Sequence, residues 1–392
     1  MRILIFHGYL LRGTGSNVYN AELARALAAA GHEVHLLCQE RDARELDFVD
    51  AVGDWKTGEL KVEGLDRDRP AGQGSCTVYL PPIADLLPVY VADRYDGFTA
   101  KPFPELSEEE LEFYLRRNVM AVREVCERAK PDCALANHMV MGPFVLARAL
   151  SEDVPYAVKI HGSAMEYTVR PNPRFLPYAE EGVSRAATVL VGSRHIAERT
   201  WDTLRVKGMS ERIFLGPPGV DVERFKPRPQ TEAIDGLAEL ADEVYALPRN
   251  GYGPAAAGAT DGLYDRVRTA ARTEGTTSYE EIAELIGDMH LGYENAGIDP
   301  QAPDTLLRLA GDADAPLVLY VGKLIVSKGV DLLLAAWPLV RQKHPDARLA
   351  ITGFGAYREG LELLLSALSD GDLTSAKWIA AGGRAFEGGP AD

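Results

Sequence analysis

Short apolar segments that alternate with helical segments are the feature that most constrains this sequence. Strands that alternate with helices in this way predict an α/β fold built on a parallel, doubly wound sheet. Ligands of such sheets bind at the carboxyl ends of the strands, where His138, His161 and Ser193 fall. The apolar segments of the first half of the chain are residues 2–6, 32–38, 133–136, 156–160, 188–191 and 213–215.

Residues that cap helices mark the start of several helical segments. Ser16 and Asn17 predict a helix that begins there and runs over residues 18–30. The segments Ser107–Glu110 and Ser278–Glu281 both have the spacing of a capping box, in which a serine and a glutamate bond to each other's backbone. Each of these two boxes therefore predicts the first turn of a helix.

The alternation divides the chain into three parts. Residues 1–228 are predicted to form a complete Rossmann-like domain. The pattern breaks over residues 229–314, which predict a helical insertion with no visible chemistry. It resumes over residues 315–392 with two strands only, so this part is predicted to be a truncated domain of the same type. The chain is therefore expected to be a fragment, with apolar helix faces left partly exposed.

Charge and composition narrow the classes of partner. The chain has 42 Lys and Arg residues against 58 Asp and Glu residues, a formal net charge of −16. This balance argues against nucleic acid and against a polybasic membrane anchor as partners.

No segment reaches the roughly 20 apolar residues of a transmembrane helix, and the chain opens without a signal-peptide core. The four cysteines lack metal-site spacing, so no metal is expected. We expect a cytoplasmic protein, and peripheral membrane contact stays open.

The first candidate binding element is the loop Gly13, Thr14 and Gly15, which lies just before a predicted helix. Glycines let the backbone approach a ligand, and the N–H groups at a helix start favour an anion. The loop does not match the dinucleotide fingerprint, because Val18 occupies the third glycine position. A plain turn between strand and helix is the alternative reading.

The second candidate is a pair of lysines, Lys323 and Lys328, which flank a turn between a strand and a helix. Two cations at this spacing suit the distributed charge of a diphosphate. Solvated surface lysines are the alternative. Gly322 precedes the first lysine, while Gly353 and Gly355 follow the next strand and would allow close approach to a nucleotide.

The third candidate is His161, which follows an apolar strand and precedes Gly162. A histidine in this place can reach a ligand as a hydrogen-bonding or acid–base group, although a structural role is the alternative. His138, Ser193 and Arg194 follow neighbouring strands, so we expect them near the same cleft.

Taken together, these motifs resemble glycosyltransferase family 4, the retaining nucleotide-sugar transferases of the GT-B fold. The most specific parts are the Gly-Val-Asp run that leads to Phe-Lys-Pro and the Gly-Lys run that leads to Lys-Gly. The resemblance covers residues 1–227 and 315–370 and leaves the insertion out. The five matching segments are Gly13–Asn17, Lys159–Gly162, Val191–Ser193, Pro218–Pro227, and Val321–Asp331 followed by Gly353–Gly355.

The resemblance implies a retaining transfer that needs neither metal nor cofactor. Lys323 and Lys328 would hold the diphosphate of a nucleotide-sugar donor, with lysine at a position where most relatives have arginine. His161 would contact the donor sugar on the side of the leaving group. Gly13 to Gly15 would approach the donor phosphates or the acceptor, which is a sugar, a lipid or a small molecule.

The sequence departs from the family in one respect. Relatives carry two glutamates eight positions apart that bind the donor sugar and ribose, and this chain has no matching segment. Donor affinity and turnover are therefore expected to be poor. Alternatives are a catalytically impaired GT-B fragment that acts as a binding protein, and an epimerase or phosphorylase of the same fold. The acid–base carboxylates of an epimerase and the pyridoxal phosphate lysine of a phosphorylase are not identifiable.

Overall fold

The structure is a computed structural model that describes residues 1–90, 97–247, 261–273, 278–289, 299, 301–311 and 315–387. The chain divides into two compact units, Met1–Asp221 and Val222–Asp392. Each unit has its own strands, helices and apolar core.

A nine-stranded sheet forms the centre of the first unit, in the order β11-β10-β9-β8-β1-β2-β5-β3-β4. Neighbouring strands are parallel, except for the antiparallel pair β3 and β4. Strands β6 and β7 pair separately, in parallel. The strands are β1 Arg2–Phe6, β2 Glu33–Leu37, β3 Ala51–Asp54, β4 Lys61–Gly64, β5 Ser75–Leu80, β6 Leu86–Val89, β7 Thr99–Pro102, β8 Cys133–Asn137, β9 Tyr156–Ile160, β10 Thr188–Val191 and β11 Ile213–Leu215.

Helices cover both faces of this sheet. In β1, Leu4 belongs to the same apolar cluster as Val122, whereas Ile5 belongs to a second cluster with Ala24. Because successive residues of a strand point to opposite faces, β1 is buried on both sides. The helices are α1 Gly15–Ala29, α2 Glu108–Ala129, α3 Gly142–Ala149, α4 Leu176–Ser184 and α5 Arg194–Thr203, with a π-helical segment over Ala164–Val169.

The second unit is mainly helical, with one pair of parallel strands. Its core joins Val267 and Ile282, from the predicted insertion, to Leu334 and Leu364. Insertion helices therefore contribute to the core of this unit, while the three-part division of the chain stays a prediction. The elements are α6 Gln230–Ala246, α7 Asp261–Ala270, α8 Tyr279–Met289, α9 Ala302–Gly311, β12 Leu317–Val321, α10 Val330–Lys343, β13 Arg348–Thr352, α11 Arg358–Ser369 and α12 Leu373–Ala381.

Most predicted strands agree closely with the structure, and one helix start differs. Helix α1 begins at Gly15, and its N-cap is Thr14 rather than Ser16 or Asn17. The predicted cap at Asn17 is therefore wrong, because its side chain turns inward and bonds to His7. Strands β3, β4, β5, β6 and β7 and helix α12 were not predicted. Within the described residues, no helix is long and apolar enough to cross a membrane.

Candidate active site

Three histidines meet at the carboxyl ends of three neighbouring strands. His7, His138 and His161 directly follow β1, β8 and β9, which lie side by side in the sheet. The ring centroids of His138 and His161 are 5.0 Å apart, and those of His7 and His138 are 6.1 Å apart. We call these three residues the histidine cluster. The structure thus brings His138 and His161 together as expected and adds His7, whose place directly after β1 could have indicated it.

Asparagine side chains connect the outer histidines of the cluster. Nδ2 of Asn20, on α1, lies 3.0 Å from His7 Nδ1. Asn137 Nδ2 donates to Asn20 Oδ1 at 2.7 Å. Asn137 Oδ1 in turn lies 2.9 Å from His161 Nε2. A continuous hydrogen-bonded path therefore runs from His7 to His161 through two amides, both of them buried.

Burial keeps the cluster in its neutral form. Desolvation lowers the pKa of His7 from 6.5 to about 4 and that of His161 from 6.5 to about 3. The pKa of His138 is lowered well below 6.5, first by burial and then by the neighbouring His161 and His7. At neutral pH the three rings are therefore neutral and not cationic.

His138 is the most enclosed member of the cluster. Its side chain is 3% exposed, and its ring lies 4.6 Å from Tyr90 and 5.5 Å from Tyr9, measured between centroids. Its backbone has a positive φ of 67° and donates to the carbonyl of Lys159 at 2.8 Å. Neither ring nitrogen has a hydrogen-bond partner within the part of the chain that the structure describes. The ring therefore packs against its neighbours as an aromatic surface.

Lys159 extends the site toward the loop after β11. Its side chain is 1% exposed, its Nζ donates to the carbonyl of Gly216, and it lies 5.5 Å from the centroid of the Tyr19 ring. Tyr19 meets His161 edge to face at a centroid distance of 5.2 Å. Desolvation lowers the pKa of Lys159. The sequence motif contained this lysine, but only the fold shows that its ammonium group holds the loop backbone.

The glycine-rich loop lies at the start of α1. Gly13 has a φ of +90°, which favours glycine, and the space beside Gly13 and Gly15 is open. Thr14 caps the helix through its carbonyl, which accepts the N–H groups of Asn17 and Val18. The loop thus leaves room for a ligand beside its backbone.

Ser193 and Arg194 lie beside the end of β9. The Ser193 hydroxyl accepts the N–H of Ile196 at 3.3 Å and thereby caps α5. A Cβ at Gly162 would lie 3.4 Å from Ile196 Cδ1, which places the first turn of α5 next to His161. Both Ser193 and Arg194 are exposed.

In the second unit, the predicted donor-binding residues lie on two adjacent loops. Gly353 and Gly355 follow β13. A Cβ on Gly353 would lie 1.8 Å from Gly322 O, and a Cβ on Gly355 would lie 2.3 Å from Leu324 O. These glycines are required because two backbone segments run against each other, with Leu324 N donating to Phe354 O at 2.8 Å. Their packing on the chain itself explains the Gly-Phe-Gly motif without a ligand.

Lys323 and Lys328 lie on the loop between β12 and α10. Lys323 is partly exposed and its carbonyl accepts the Tyr320 hydroxyl at 2.9 Å, while Lys328 is exposed at the end of a short 3-10 turn. The N–H of Val326 donates to the Glu387 carboxylate, and that of Lys328 to Ile325 O. These two backbone donors are therefore already bonded within the chain.

Comparison with known proteins assigns the chain to a family. A profile described as "Glycosyl transferase 4-like domain" matches residues 14–219, more than half of the chain, and one described as "Glycosyl transferases group 1" matches residues 308–373. The chain therefore belongs to the glycosyl transferase 4-like family, and the expected resemblance is confirmed. Both units are α/β with parallel strands, in agreement with the expected GT-B-like class.

Curated relatives match over short segments. A GDP-mannose-dependent alpha-(1-6)-phosphatidylinositol monomannoside mannosyltransferase of Mycolicibacterium smegmatis is 39% identical over 70 residues, 18% of each chain. Sulfoquinovosyl transferase SQD2 of Arabidopsis thaliana is 34% identical over 80 residues, 20% of this chain and 15% of that protein. The matched segments thus span less than a fifth of either relative.

Solved structures are similar along most of the chain at low identity. Sucrose-phosphate synthase from Thermosynechococcus elongatus is 14% identical with a TM-score of 0.42, covering 99% of this chain and 93% of that one. A glycosyltransferase from Rickettsia africae is 11% identical with a TM-score of 0.38, covering 98% of this chain and 93% of that one.

Within the described residues, no cluster of His, Cys, Asp or Glu could hold a metal ion.

Proposed function

We propose that this chain transfers a sugar from a nucleotide-diphosphate donor to a sugar, lipid or small-molecule acceptor, with retention at the anomeric carbon and without a metal ion. The observation that carries the proposal is the histidine cluster, which lies at the carboxyl ends of β1, β8 and β9 in a chain of this family. This edge is where doubly wound sheets bind their ligands.

His161 is the proposed contact with the donor sugar. It is partly exposed, whereas His7 and His138 are buried. Since burial lowers the pKa of His161 to about 3, the ring meets the sugar as a neutral hydrogen-bonding group. It would then position the sugar hydroxyls without carrying charge itself.

Lys323 and Lys328 are the proposed counter-charges for the donor diphosphate. Their ammonium groups would stabilise the negative charge that develops on the leaving phosphate. A lysine at position 323 interacts as a point charge, because it lacks the two-pronged geometry of arginine. Gly322, Gly353 and Gly355 shape the backbone that carries these side chains. No cofactor is proposed.

The glycine-rich loop and the start of α5 are the proposed surroundings of the phosphates or the acceptor. Gly13, Thr14 and Gly15 offer open backbone at the start of α1, where partial positive charge attracts anions. Ser193 and Arg194 would contribute a hydroxyl and a cation from the neighbouring strand end.

Binding of a nucleoside diphosphate tests the lysines. Lys323→Ala and Lys328→Ala should each weaken the binding of UDP or GDP by about 1.5–3 kcal/mol, the range for hydrogen bonds to charged groups. Lys343→Ala, which removes an exposed lysine at the far end of α10, is the matched control and should leave binding unchanged. Unchanged dissociation constants in both lysine variants would exclude the proposed role.

Sugar transfer tests His161. The first probes are labelled UDP-glucose and GDP-mannose, the latter named for the Mycolicibacterium smegmatis relative. His161→Ala should lower turnover by about 10²-fold and leave the melting temperature unchanged. His344→Ala, which removes an exposed histidine at the end of α10, should leave both unchanged. A lower melting temperature with normal turnover per folded molecule would indicate that His161 is structural.

A nucleotide-binding protein without turnover is the second candidate. The described sheet of the second unit has two strands, β12 and β13, and offers fewer strand ends to a donor than the nine-stranded sheet of the first unit. Binding of UDP or GDP with no release of labelled sugar from either probe would favour this candidate.

A further inference from the structure

The path from His7 to His161 has a fixed direction of donation. His7 Nε2 lies 2.9 Å from the carbonyl oxygen of Leu10, which can only accept, so Nε2 carries the proton of the neutral ring. Its second contact is with Asn17 Oδ1 at 3.1 Å, also an acceptor, because Asn17 Nδ2 donates to Arg12 O. His7 Nδ1 is therefore left with a lone pair.

The two amides extend this direction across the sheet. Asn20 Nδ2 donates to His7 Nδ1 and to the carbonyl of Ser16 at 2.8 Å, which uses both of its protons. Its Oδ1 then accepts from Asn137 Nδ2. Asn137 Oδ1 is consequently an acceptor, and the atom facing it at 2.9 Å, His161 Nε2, must donate. Each link has one donor and one acceptor, and two backbone carbonyls fix the orientation at the far end.

We propose that His7, Asn20 and Asn137 are positioning residues, here called the relay, that hold His161 with its proton on Nε2 and a lone pair on Nδ1. This proposal rests on the proposed contact between His161 and the donor sugar. The relay leaves Nδ1 as a hydrogen-bond acceptor for a hydroxyl group, whereas the opposite tautomer would present a donor there.

The surroundings of His161 support this assignment. Its Nδ1 has no hydrogen-bond partner among the residues that the structure describes, so this atom is available to a ligand. Burial that lowers the pKa of both His7 and His161 matches a relay in which each ring holds one proton. A second proton on His7 would sit on Nδ1 and face the Asn20 amide donor, which the geometry disfavours.

The direct test is the tautomer of His161, measured by nitrogen-15 NMR on the full chain with labelled histidine. His161 should show a protonated Nε2 and an unprotonated Nδ1 from pH 5 to pH 8, with the signals assigned by their loss in His161→Gln. A proton on Nδ1 or a mixture of tautomers would overturn the relay. The measurement needs no donor, so a fixed tautomer in a chain that binds neither UDP nor GDP would contradict only the proposed function.

Two variants of nearly unchanged shape separate a positioning role from a structural one. Asn137→Asp places a carboxylate beside His161 Nε2, so His161 should acquire a second proton and its pKa should rise. Asn20→Asp keeps the acceptor for Asn137 Nδ2 and loses the donor to His7 Nδ1. His7 should therefore become protonated on Nδ1, while His161 keeps its tautomer. Retention of the wild-type signals in both variants would overturn the proposal.

Turnover of the labelled nucleotide sugars gives the second readout. Asn137→Asp should lower kcat by about tenfold, the effect of one hydrogen bond, while KM for the donor changes less. Asn118→Asp is the matched control, because Asn118 is equally buried on α2 and bonds to the carbonyl of Tyr114 outside the relay. An equal loss of kcat in the control would assign the effect to buried charge and overturn the role of the relay.

Discussion

The two units place their candidate groups in opposite environments. In the first unit, His7, Asn20 and Asn137 are each at most 2% exposed and are held by hydrogen bonds from different elements. In the second unit, Lys323 and Lys328 lie on a loop at the surface. A site built from buried, bonded groups is preorganised, whereas an exposed side chain such as that of Lys328 loses conformational freedom when a ligand orders it. We therefore expect the groups of the first unit to keep their geometry without a ligand.

The same contrast appears in the two sheets. Leu36 in β2 is fully buried, whereas Leu319 in β12 is 59% exposed. Nine strands with helices on both faces bury their central strands, but a pair of strands leaves more apolar surface in contact with water. The first unit should accordingly be the more sensitive of the two to changes in its strands.

The largest expected effect comes from a matched pair of strand leucines. Leu36→Ala should lower the free energy of unfolding by about 2–5 kcal/mol, because it leaves a cavity in a packed core. Leu319→Ala should change it by less than about 0.5 kcal/mol. Urea unfolding followed by circular dichroism measures both. Similar losses in the two variants would contradict the contrast between the sheets.

Acid should destabilise the first unit through its buried histidines. Because burial lowers the pKa of His7 from 6.5 to about 4, the unfolded chain binds more protons than the folded chain between these two values. The free energy of unfolding should therefore fall as the pH is lowered from 6.5 to 4. The contribution of His7 is about 3 kcal/mol, at 1.36 kcal/mol for each pKa unit.

Urea unfolding at a series of pH values measures this effect. In His7→Gln the free energy of unfolding should change less steeply with pH. The difference in slope should correspond to at most one bound proton, since the group that takes up this proton is gone. His195→Gln, which removes an exposed histidine from the same unit, is the control. Stability that stays constant from pH 6.5 to 4 would show that the cluster is not held neutral by burial.

The strands that could be predicted from sequence are those that read as apolar runs. β9 and β10 read as largely apolar runs, with Pro155 before β9 and Gly192 after β10, and both lie in the structure at the predicted residues. β4, with the sequence Lys-Val-Glu-Gly, is largely exposed at the edge of the sheet and carries no such signal. An apolar run is thus what makes a strand readable, because β12 was predicted although it is largely exposed, whereas the buried β5 was not predicted.

The candidate site could be predicted only in part. His161 and His138 were indicated by their place after apolar strands, and this place follows from local pattern. The bond between Asn20 and Asn137 joins residues 117 positions apart, so no local pattern reveals it. Asn17 shows the reverse case, because a residue type that commonly caps helices is used here to bond to His7. In both cases, tertiary contacts determine which hydrogen bonds the asparagine side chains make.

The smallest expected effect comes from the two capping boxes, one in each unit. Ser107 accepts the N–H of Glu110 at 3.1 Å and donates its own N–H to the Glu110 carboxylate at 2.7 Å. Ser278 and Glu281 make the same pair of bonds at 3.2 and 3.1 Å. The two boxes are therefore equivalent local structures in units whose sheets differ.

Ser107→Ala and Ser278→Ala should each lower the free energy of unfolding of their own unit by about 1 kcal/mol, the usual effect of an N-cap. The helix that follows Ser278 buries Ile282 and Ile286 in the core of the second unit, so loss of its cap should propagate to that core. Urea unfolding measures both variants, and Ser184→Ala, an exposed serine at the end of α4, is the control. If Ser278→Ala has no effect while Ser107→Ala does, α8 contributes little to the stability of its unit, and the contrast between the units extends from the sheets to the helices.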